Sequence, residues 1–245
     1  MKLTVLGSGS SGNSYILTDK GGDSLVIEIG LNFPQIQKHF KQDLYKISGV
    51  LVTHEHGDHN KAINKVLYYG LNVYATAGTF KGSKVNPDLE VNAKVIKYGE
   101  PFFVGNFGVM PFDVQHDVNE PCGFVISHKE SGNILFLTDT TYCKYNFNNL
   151  DHIICEANYC EDLLDESVDE EFLRRRIIKS HLSIQNVELM LARWDIKSVK
   201  SIILTHLSER NANPEDFKNR IISKFGKTTE IALKGSVFNL DLNPF

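Results

Sequence analysis

Hydrophobic and polar positions along the chain alternate in short blocks, and the blocks change period. Near the start, Leu3–Leu6, Ser14–Thr18 and Leu25–Ile29 read as strands with glycine-containing turns between them. Phe33–Phe40 reads as a short helix opened by Pro34. Gly49–Thr53 is an unbroken apolar run, the pattern of a strand covered on both faces. A helix is expected over Lys61–Tyr69. Strands are expected at Val73–Ala75 and Val95–Tyr98, separated by an irregular stretch holding Gly78, Gly82 and Pro87. From Phe102 to Leu137 the chain is strand-rich, with turns at Gly105-Asn106 and Ser131-Gly132-Asn133. The second half adds a strand at His152–Glu156 and helices near Asp169–Lys179, Ile184–Trp194 and Pro214–Lys224. It ends in strands near Glu230–Ala232 and Ser236–Leu240. This succession predicts an α/β protein in which two sheets pack face to face with helices outside. No repeat or linker interrupts it, so residues 1–245 are expected to form a single domain.

Three of the apolar runs end alike. Val50-Leu51-Val52-Thr53 runs into His54, Ile134-Leu135-Phe136-Leu137-Thr138 into Asp139, and Ile202-Ile203-Leu204-Thr205 into His206. Each delivers a metal-competent side chain at the C-terminal end of a buried strand, the edge where α/β folds gather ligands. The first ending is the richest. His54, His56, Asp58 and His59 fall within six residues, and Gly57 allows a tight turn. Imidazoles mixed with carboxylates suit zinc, manganese or iron. The set needs a further histidine, and His116 and His181 are the candidates. His39, His128 and His152 sit in ordinary amphipathic or turn settings.

The opening Gly7-Ser8-Gly9-Ser10-Ser11-Gly12 imitates a dinucleotide fingerprint, and Glu28 stands near the place of a ribose-binding acid. A dinucleotide site needs a helix directly after the glycines, so that its N-terminus can hold the pyrophosphate. Here Asn13–Thr18 follows, which is strand sequence, and no Gly-Lys-Ser/Thr follows to make a P-loop.

Composition changes the picture little. The chain of 245 residues carries a formal net charge of −4, which argues against a protein that coats nucleic acid but leaves room for a local basic site. Cys122, Cys143, Cys155 and Cys160 form no CxxC pair and read as free thiols in a reducing compartment. The N-terminus lacks the pattern of a signal peptide, and no apolar run approaches the ~20 residues of a membrane span. The expectation is a soluble, cytoplasmic protein, with a homodimer left open.

Taken together, these motifs resemble the metallo-β-lactamase superfamily, and most nearly its YycJ/WalJ-like hydrolases. The resemblance rests on Gly7–Ser14, Thr53–His59, His116–Gly123, Thr138-Asp139, Glu156–Asn158, His181–Ser183 and His206–Asn211, and so spans nearly the whole chain. Ribonuclease Z is a more distant likeness. The resemblance implies an αββα sandwich and two divalent cations, zinc or alternatively manganese. It implies that His54, His56 and His116 hold one ion, that Asp58, His59 and His206 hold the other, and that Asp139 bridges them. By analogy with ribonuclease Z, Glu156 and His181 would form a proton-donating pair. Three positions depart from the family pattern. Glu28 stands where an Asp usually supports the ligand loop, Ser180 replaces a Gly, and the Asn after His-Leu-Ser is displaced to Asn186.

The chemistry so implied is hydrolysis by a metal-bridged hydroxide, with Asp58 orienting the attacking water and His181 protonating the leaving group. A phosphodiester needs that proton more than a lactone or thioester does. The expected activity is therefore a nuclease acting on DNA or RNA. A cyclic-nucleotide phosphodiesterase is the alternative, and a lactone or thioester hydrolase comes behind it. Arg175, Arg176 and Lys179 form a candidate phosphate-gripping patch, or else answer the acidic run just upstream. Ser183 is a further candidate contact.

Overall fold

The computed structural model describes residues 1–41, 43–165 and 171–242. The first half of the chain builds one sheet. Its strands are β1 (Lys2–Gly7), β2 (Ser14–Thr18), β3 (Ser24–Ile27), β4 (Ile47–Leu51), β5 (Val73–Ala75) and β6 (Ala93–Val95). The helices along this half are α1 (Phe33–His39), α2 (Gly57–Asn60), α3 (Ile63–Tyr68) and α4 (Ala77–Gly82). The second half builds the other sheet from β7 (Phe102–Val104), β8 (Phe107–Asp113), β9 (Cys122–His128), β10 (Gly132–Leu137), β11 (His152–Glu156), β12 (Ser201–Thr205) and β13 (Thr228–Ile231). Its helices are α5 (Glu161–Asp165), α6 (Glu171–Ser180), α7 (Ile184–Arg193) and α8 (Pro214–Phe225). The last strand, β14 (Val237–Asn239), returns to the first sheet beside β1.

The sheets run β14-β1-β2-β3-β4-β5-β6 and β13-β12-β11-β10-β9-β8-β7, seven strands in each. Period-two alternation sorts their side chains into layers. Leu17, Ile27, Leu51, Phe124, Phe136 and Ile203 meet between the sheets. Their neighbours Ile16, Val26 and Val50 face outward onto Phe33, Ile36, Val66 and Leu67 of α1 and α3. On the other side Leu135, Leu137, Ile153 and Leu204 pack under Val187, Leu191, Phe217 and Ile221 of α7 and α8. Both faces of the central strands are covered, which is why those runs are apolar throughout. The result is the αββα sandwich.

Several boundaries differ from expectation for identifiable reasons. The strand expected over Leu25–Ile29 stops at Ile27, because Glu28 adopts a left-handed φ of 65° and turns out of the ladder. The strand expected over Val95–Tyr98 is Ala93–Val95, although Ile96 N–H still donates to Ala75 O at 3.0 Å. The stretch expected to be irregular contains α4, whose N-terminus is capped by the Thr76 hydroxyl, and a 3₁₀ turn at Pro87–Asn92. The helix expected over Lys61–Tyr69 is the shorter α3, Ile63–Tyr68, and a separate turn of helix, α2, precedes it at Gly57–Asn60. Asp169 and Glu170, placed in a helix from sequence, lie outside the described residues. All four cysteines are free and buried. Among the described residues no helix is long and apolar enough to cross a membrane.

Candidate metal centre

Adjacent parallel strands β10, β11 and β12 align Leu137 with Cys155 and Cys155 with Leu204. Just past this register line come Asp139, Glu156 and His206, so three neighbouring strand ends present three ionisable side chains side by side. Asp139 and His206 both take left-handed backbone, with φ of 41° and 54°. Such conformations cost non-glycine residues about a kcal/mol or more and gather at functional sites. Here they turn buried side chains off the strand axis and into the site. Asn158 Nδ2 donates to His206 O at 2.8 Å, and His206 N–H donates to Ser8 Oγ at 3.0 Å, which holds that turn.

The first sheet contributes through one loop after β4. His54 is 1 % exposed and His59 fully buried, while His56 and Asp58 are partly open. Because a loop has no ladder to fix it, its neighbours brace it. Asn13 N–H donates to Asp58 O at 2.7 Å, and Ile29 N–H donates to His59 O at 2.8 Å. A Cβ at Gly30 would lie 1.6 Å from Asp58 O, so only glycine permits this approach. Glu28 Oε1 accepts from Thr53 N–H at 3.2 Å, and Oε2 lies 3.5 Å from His59 Nδ1. Glu28 thus reaches the ligand loop with both carboxylate oxygens. Glu55 Oε1 accepts from Asn119 N–H at 2.9 Å and so ties the loop to the segment carrying His116.

These side chains converge. Asp139 Oδ2 lies 3.7 Å from His54 Nε2, 3.4 Å from His59 Nε2 and 3.6 Å from His116 Nε2. Asp139 Oδ1 lies 2.7 Å from His206 Nδ1. Asp58 Oδ2 lies 3.5 Å from His59 Nε2 and 3.6 Å from His206 Nε2. Two groupings dense enough to hold a cation emerge around His54, His56, His116 and Asp139 and around Asp58, His59 and His206. A third joins Asp139, Glu156, His181 and His206.

The chemistry of the donors fits cations. His54 Nδ1 lies 2.9 Å from the Thr53 hydroxyl, while its buried Nε2 has no hydrogen-bond partner. Burial, helped by neighbouring imidazoles, holds the His54 pKa well below its usual value, so the ring is neutral and its lone pair available. His116 Nε2 and His56 Nδ1 face each other at 3.0 Å, while His116 Nδ1 lies 2.9 Å from the Ser180 carbonyl. A donor shared with a carbonyl on the far nitrogen is the usual support of a ligating imidazole. For His59 and His206 burial opposes charge, yet Asp139 and the other carboxylates hold both pKa values well above normal.

Beside this set, His181 Nδ1 lies 2.6 Å from Glu156 Oε1. Glu156 is fully buried, and its Oε2 accepts from Thr140 N–H and Leu182 N–H at 3.2 and 3.3 Å. Burial works to lower the His181 pKa, but the Glu156 carboxylate outweighs it and raises the value. A cavity of about 510 Å³ opens over His56, Asp58, His116, Asp139, His181 and His206.

The family model described as "Beta-lactamase superfamily domain" matches residues 15–207. The chain belongs to the β-lactamase superfamily. Within it, the chain is 30 % identical over 224 residues to exodeoxyribonuclease YycJ of Bacillus anthracis, a match covering 86 % of this chain and 84 % of that protein. Two solved structures share its fold. The metallo-β-lactamase fold protein YhfI of Bacillus subtilis has a TM-score of 0.72 at 20 % identity, over 97 % of this chain and 99 % of its own. Zn(2+)-bound PqqB of Methylobacterium extorquens has a TM-score of 0.71 at 15 % identity, over 98 % of this chain and 100 % of its own. The chain is a YycJ/WalJ-like metal-dependent hydrolase, with a site built for divalent cations.

Among the candidate substrate contacts, Arg176 lines the cavity, whereas Arg175 and Lys179 line an adjoining hollow. Ser183 is not among the residues that line the cavity. It is fully buried as the N-cap of α7, accepting from Asn186 N–H at 3.1 Å and donating to Glu161 Oε1 at 2.9 Å. A Ser just before a helix is first a cap. Sequence reasoning missed the bracing roles of Ser8, Asn13, Gly30, Glu55 and the Ser180 carbonyl. The Gly7–Ser14 motif was the available signal. It packs against the ligand loop, with Gly9 N–H donating to Asn13 Oδ1 at 2.8 Å.

Proposed function

We propose that this protein hydrolyses phosphodiester bonds of DNA with two divalent cations, zinc in the protein as isolated, and that manganese also supports turnover. His54, His56 and His116 would hold one ion and Asp58, His59 and His206 the other, with Asp139 common to both sets. When bound, two such ions supply Lewis-acid polarisation of the phosphate and a water acidic enough to lose its proton near neutral pH. Asp58, partly open to the cavity, would be placed to accept a hydrogen bond from a water held there. Glu28 and the Thr53 hydroxyl keep His59 and His54 in place through their outer nitrogens.

The observation that carries the choice of a phosphodiester is the His181–Glu156 contact of 2.6 Å, set beside a ligand set complete without it. An alkoxide leaving from a phosphodiester needs a proton, and a partly exposed imidazole raised in pKa by a buried carboxylate can deliver one. A lactone or thioester has less use for such a pair. The exodeoxyribonuclease name of the Bacillus anthracis relative supports DNA as the substrate. A second reading, hydrolysis of cyclic nucleotides, is favoured by the cavity of about 510 Å³, a volume suited to a small ligand, and by the net charge of −4.

A turnover panel decides between them. Single-stranded DNA, duplex DNA, RNA, cyclic nucleotides and a lactone are offered to protein purified without added metal, alone and with zinc or manganese. DNA cleavage well above the others is expected. Turnover of the cyclic nucleotide alone would replace the nuclease reading. Elemental analysis of the same preparation tests the metals, and well below one ion per chain without rescue by either metal would overturn the two-cation assignment.

A further inference from the structure

Helix α6 stands against the site with a face that the hydrolysis itself does not use. Phe172, Arg175, Arg176 and Lys179 follow i, i+3, i+4 and i+7 spacing and form one stripe along it. The helix is fixed to the metal centre at its C-terminal end, where the Ser180 carbonyl lies 2.9 Å from His116 Nδ1. Arg176 lines the catalytic cavity and also the next hollow along the helix, which Phe172, Arg175 and Lys179 complete. Asp117 and Ser180 likewise belong to both, so the two spaces are continuous.

The charges on this stripe are unevenly satisfied. Arg175 is paired with Glu171, but Arg176 and Lys179 make no ion pair among the described residues. In a chain of net charge −4, two cations beside a hydrolytic site with no ion-pair partner among the described residues suit an anion. One turn further out, Phe172 is 78 % exposed. An aromatic ring that far into solvent loses the benefit of burial and presents an open π-face. From Phe172 to Lys179 the helix rises about 10 Å, roughly three stacked nucleotides of a single strand.

We propose that the outer face of α6 is a landing track for single-stranded nucleic acid. Arg176 and Lys179 hold successive phosphates outside the scissile one, and an unpaired base stacks on Phe172. A base in a duplex has both faces covered by its neighbours, so the track selects strands or strand ends whose bases are free. The proposal rests on the nuclease reading for its biological use, but its test does not depend on turnover.

The probe is a fluorescent single-stranded DNA decamer with phosphorothioate linkages, titrated against the protein as purified. Phe172→Ala should weaken binding about tenfold, within the range for loss of one base–aromatic stack. Phe172→Trp should restore it, and Phe172→Leu, apolar but without a π-face, should not. Arg176→Ala with Lys179→Ala should flatten the salt dependence by about 0.7 per lost contact in log–log slope. Since Phe172 and Lys179 project from an exposed helix face, unchanged circular dichroism is expected throughout. Equal binding by Phe172→Ala, or full binding by Phe172→Leu, overturns the track. A Phe172→Ala protein that binds the decamer normally but changes its oligomeric state assigns the ring to a protein contact instead. An unmodified decamer separates the two readings. Phe172-dependent binding without any cleavage keeps the track and removes the nuclease, whereas cleavage with Phe172-independent binding does the reverse. A decamer neither bound nor cleaved overturns both.

Discussion

The two sheets arm the same site by different means. In the second sheet, three adjacent parallel strands each carry one group, Asp139, Glu156 and His206, to a common edge. Their spacing is inherited from the ladder, and left-handed turns at Asp139 and His206 only re-aim side chains already in place. In the first sheet a single loop after β4 carries His54, His56, Asp58 and His59. Nothing in a ladder fixes that loop, so Asn13, Glu28, Gly30 and Glu55 do so instead. A ligand on a strand end is therefore vulnerable mainly at itself, while a ligand on a loop is equally vulnerable at its supports.

The largest effect is expected in the second sheet. Asp139→Ala removes the carboxylate that lies within 3.7 Å of His54, His59 and His116 and meets His206 at 2.7 Å. Both ions should be lost by elemental analysis and activity should fall to background. Retention of two metals would show that the strand-end carboxylate is not the shared element.

His181→Ala comes next and probes the side chain that Glu156, at a strand end of the same sheet, holds at the junction of α6 and α7. Both metals should stay, and the rate on a substrate with a poor leaving group should drop about 10²–10⁴-fold. On a p-nitrophenyl phosphodiester, whose leaving group departs without a proton, the loss should shrink. Glu156→Gln should show the same pattern more weakly. Equal losses on both substrates would remove the proton-donor role, and a lost metal would make His181 a ligand.

In the first sheet the supports are the test. Gly30→Ala places a Cβ on Asp58 O, so the ligand loop must shift, at a cost of about 3 kcal/mol in denaturant-measured stability. Metal affinity should fall with it, although no ligand has changed. A variant as stable as the parent would mean that the loop relaxes freely and the contrast with the strand ends is false.

The smallest effect is expected at Glu28→Gln, which keeps the shape and the acceptor for Thr53 N–H but removes the charge behind His59. Metal affinity should weaken about 10–100-fold, the usual size for a group behind a ligand, measured by competition with a chelator. Glu28→Asp, which keeps the carboxylate on a shorter side chain, should retain the parental affinity if charge rather than length matters.

Much of this was readable in the chain itself. Strand runs ending in Thr-His and Thr-Asp announced both the buried strands and what they deliver, because burial on two faces demands continuous apolar sequence and only the last residue is free to be polar. The spacing of His54, His56, Asp58 and His59 announced a metal loop, because so short a segment cannot scatter its side chains. The left-handed turn at Glu28 left no mark in the sequence, since φ > 0 at a non-glycine is imposed by surroundings. The cap at Thr76 was hidden among glycines, and Ser183 sat in a motif that read as a contact but serves as a cap.

What the sequence determined by itself is therefore local: the period of each element, the residue types at strand ends, and the composition of the ligand loop. Tertiary structure alone decided which ends meet. The order β10-β11-β12 sets Glu156 between Asp139 and His206, bringing together residues up to 67 positions apart in number. It also set Gly30 under Asp58, Ser8 beneath His206 and the Ser180 carbonyl behind His116. Those contacts depend on strand register and on packing between distant segments. Their free energy belongs to pairs of positions, and no single stretch of residues carries it.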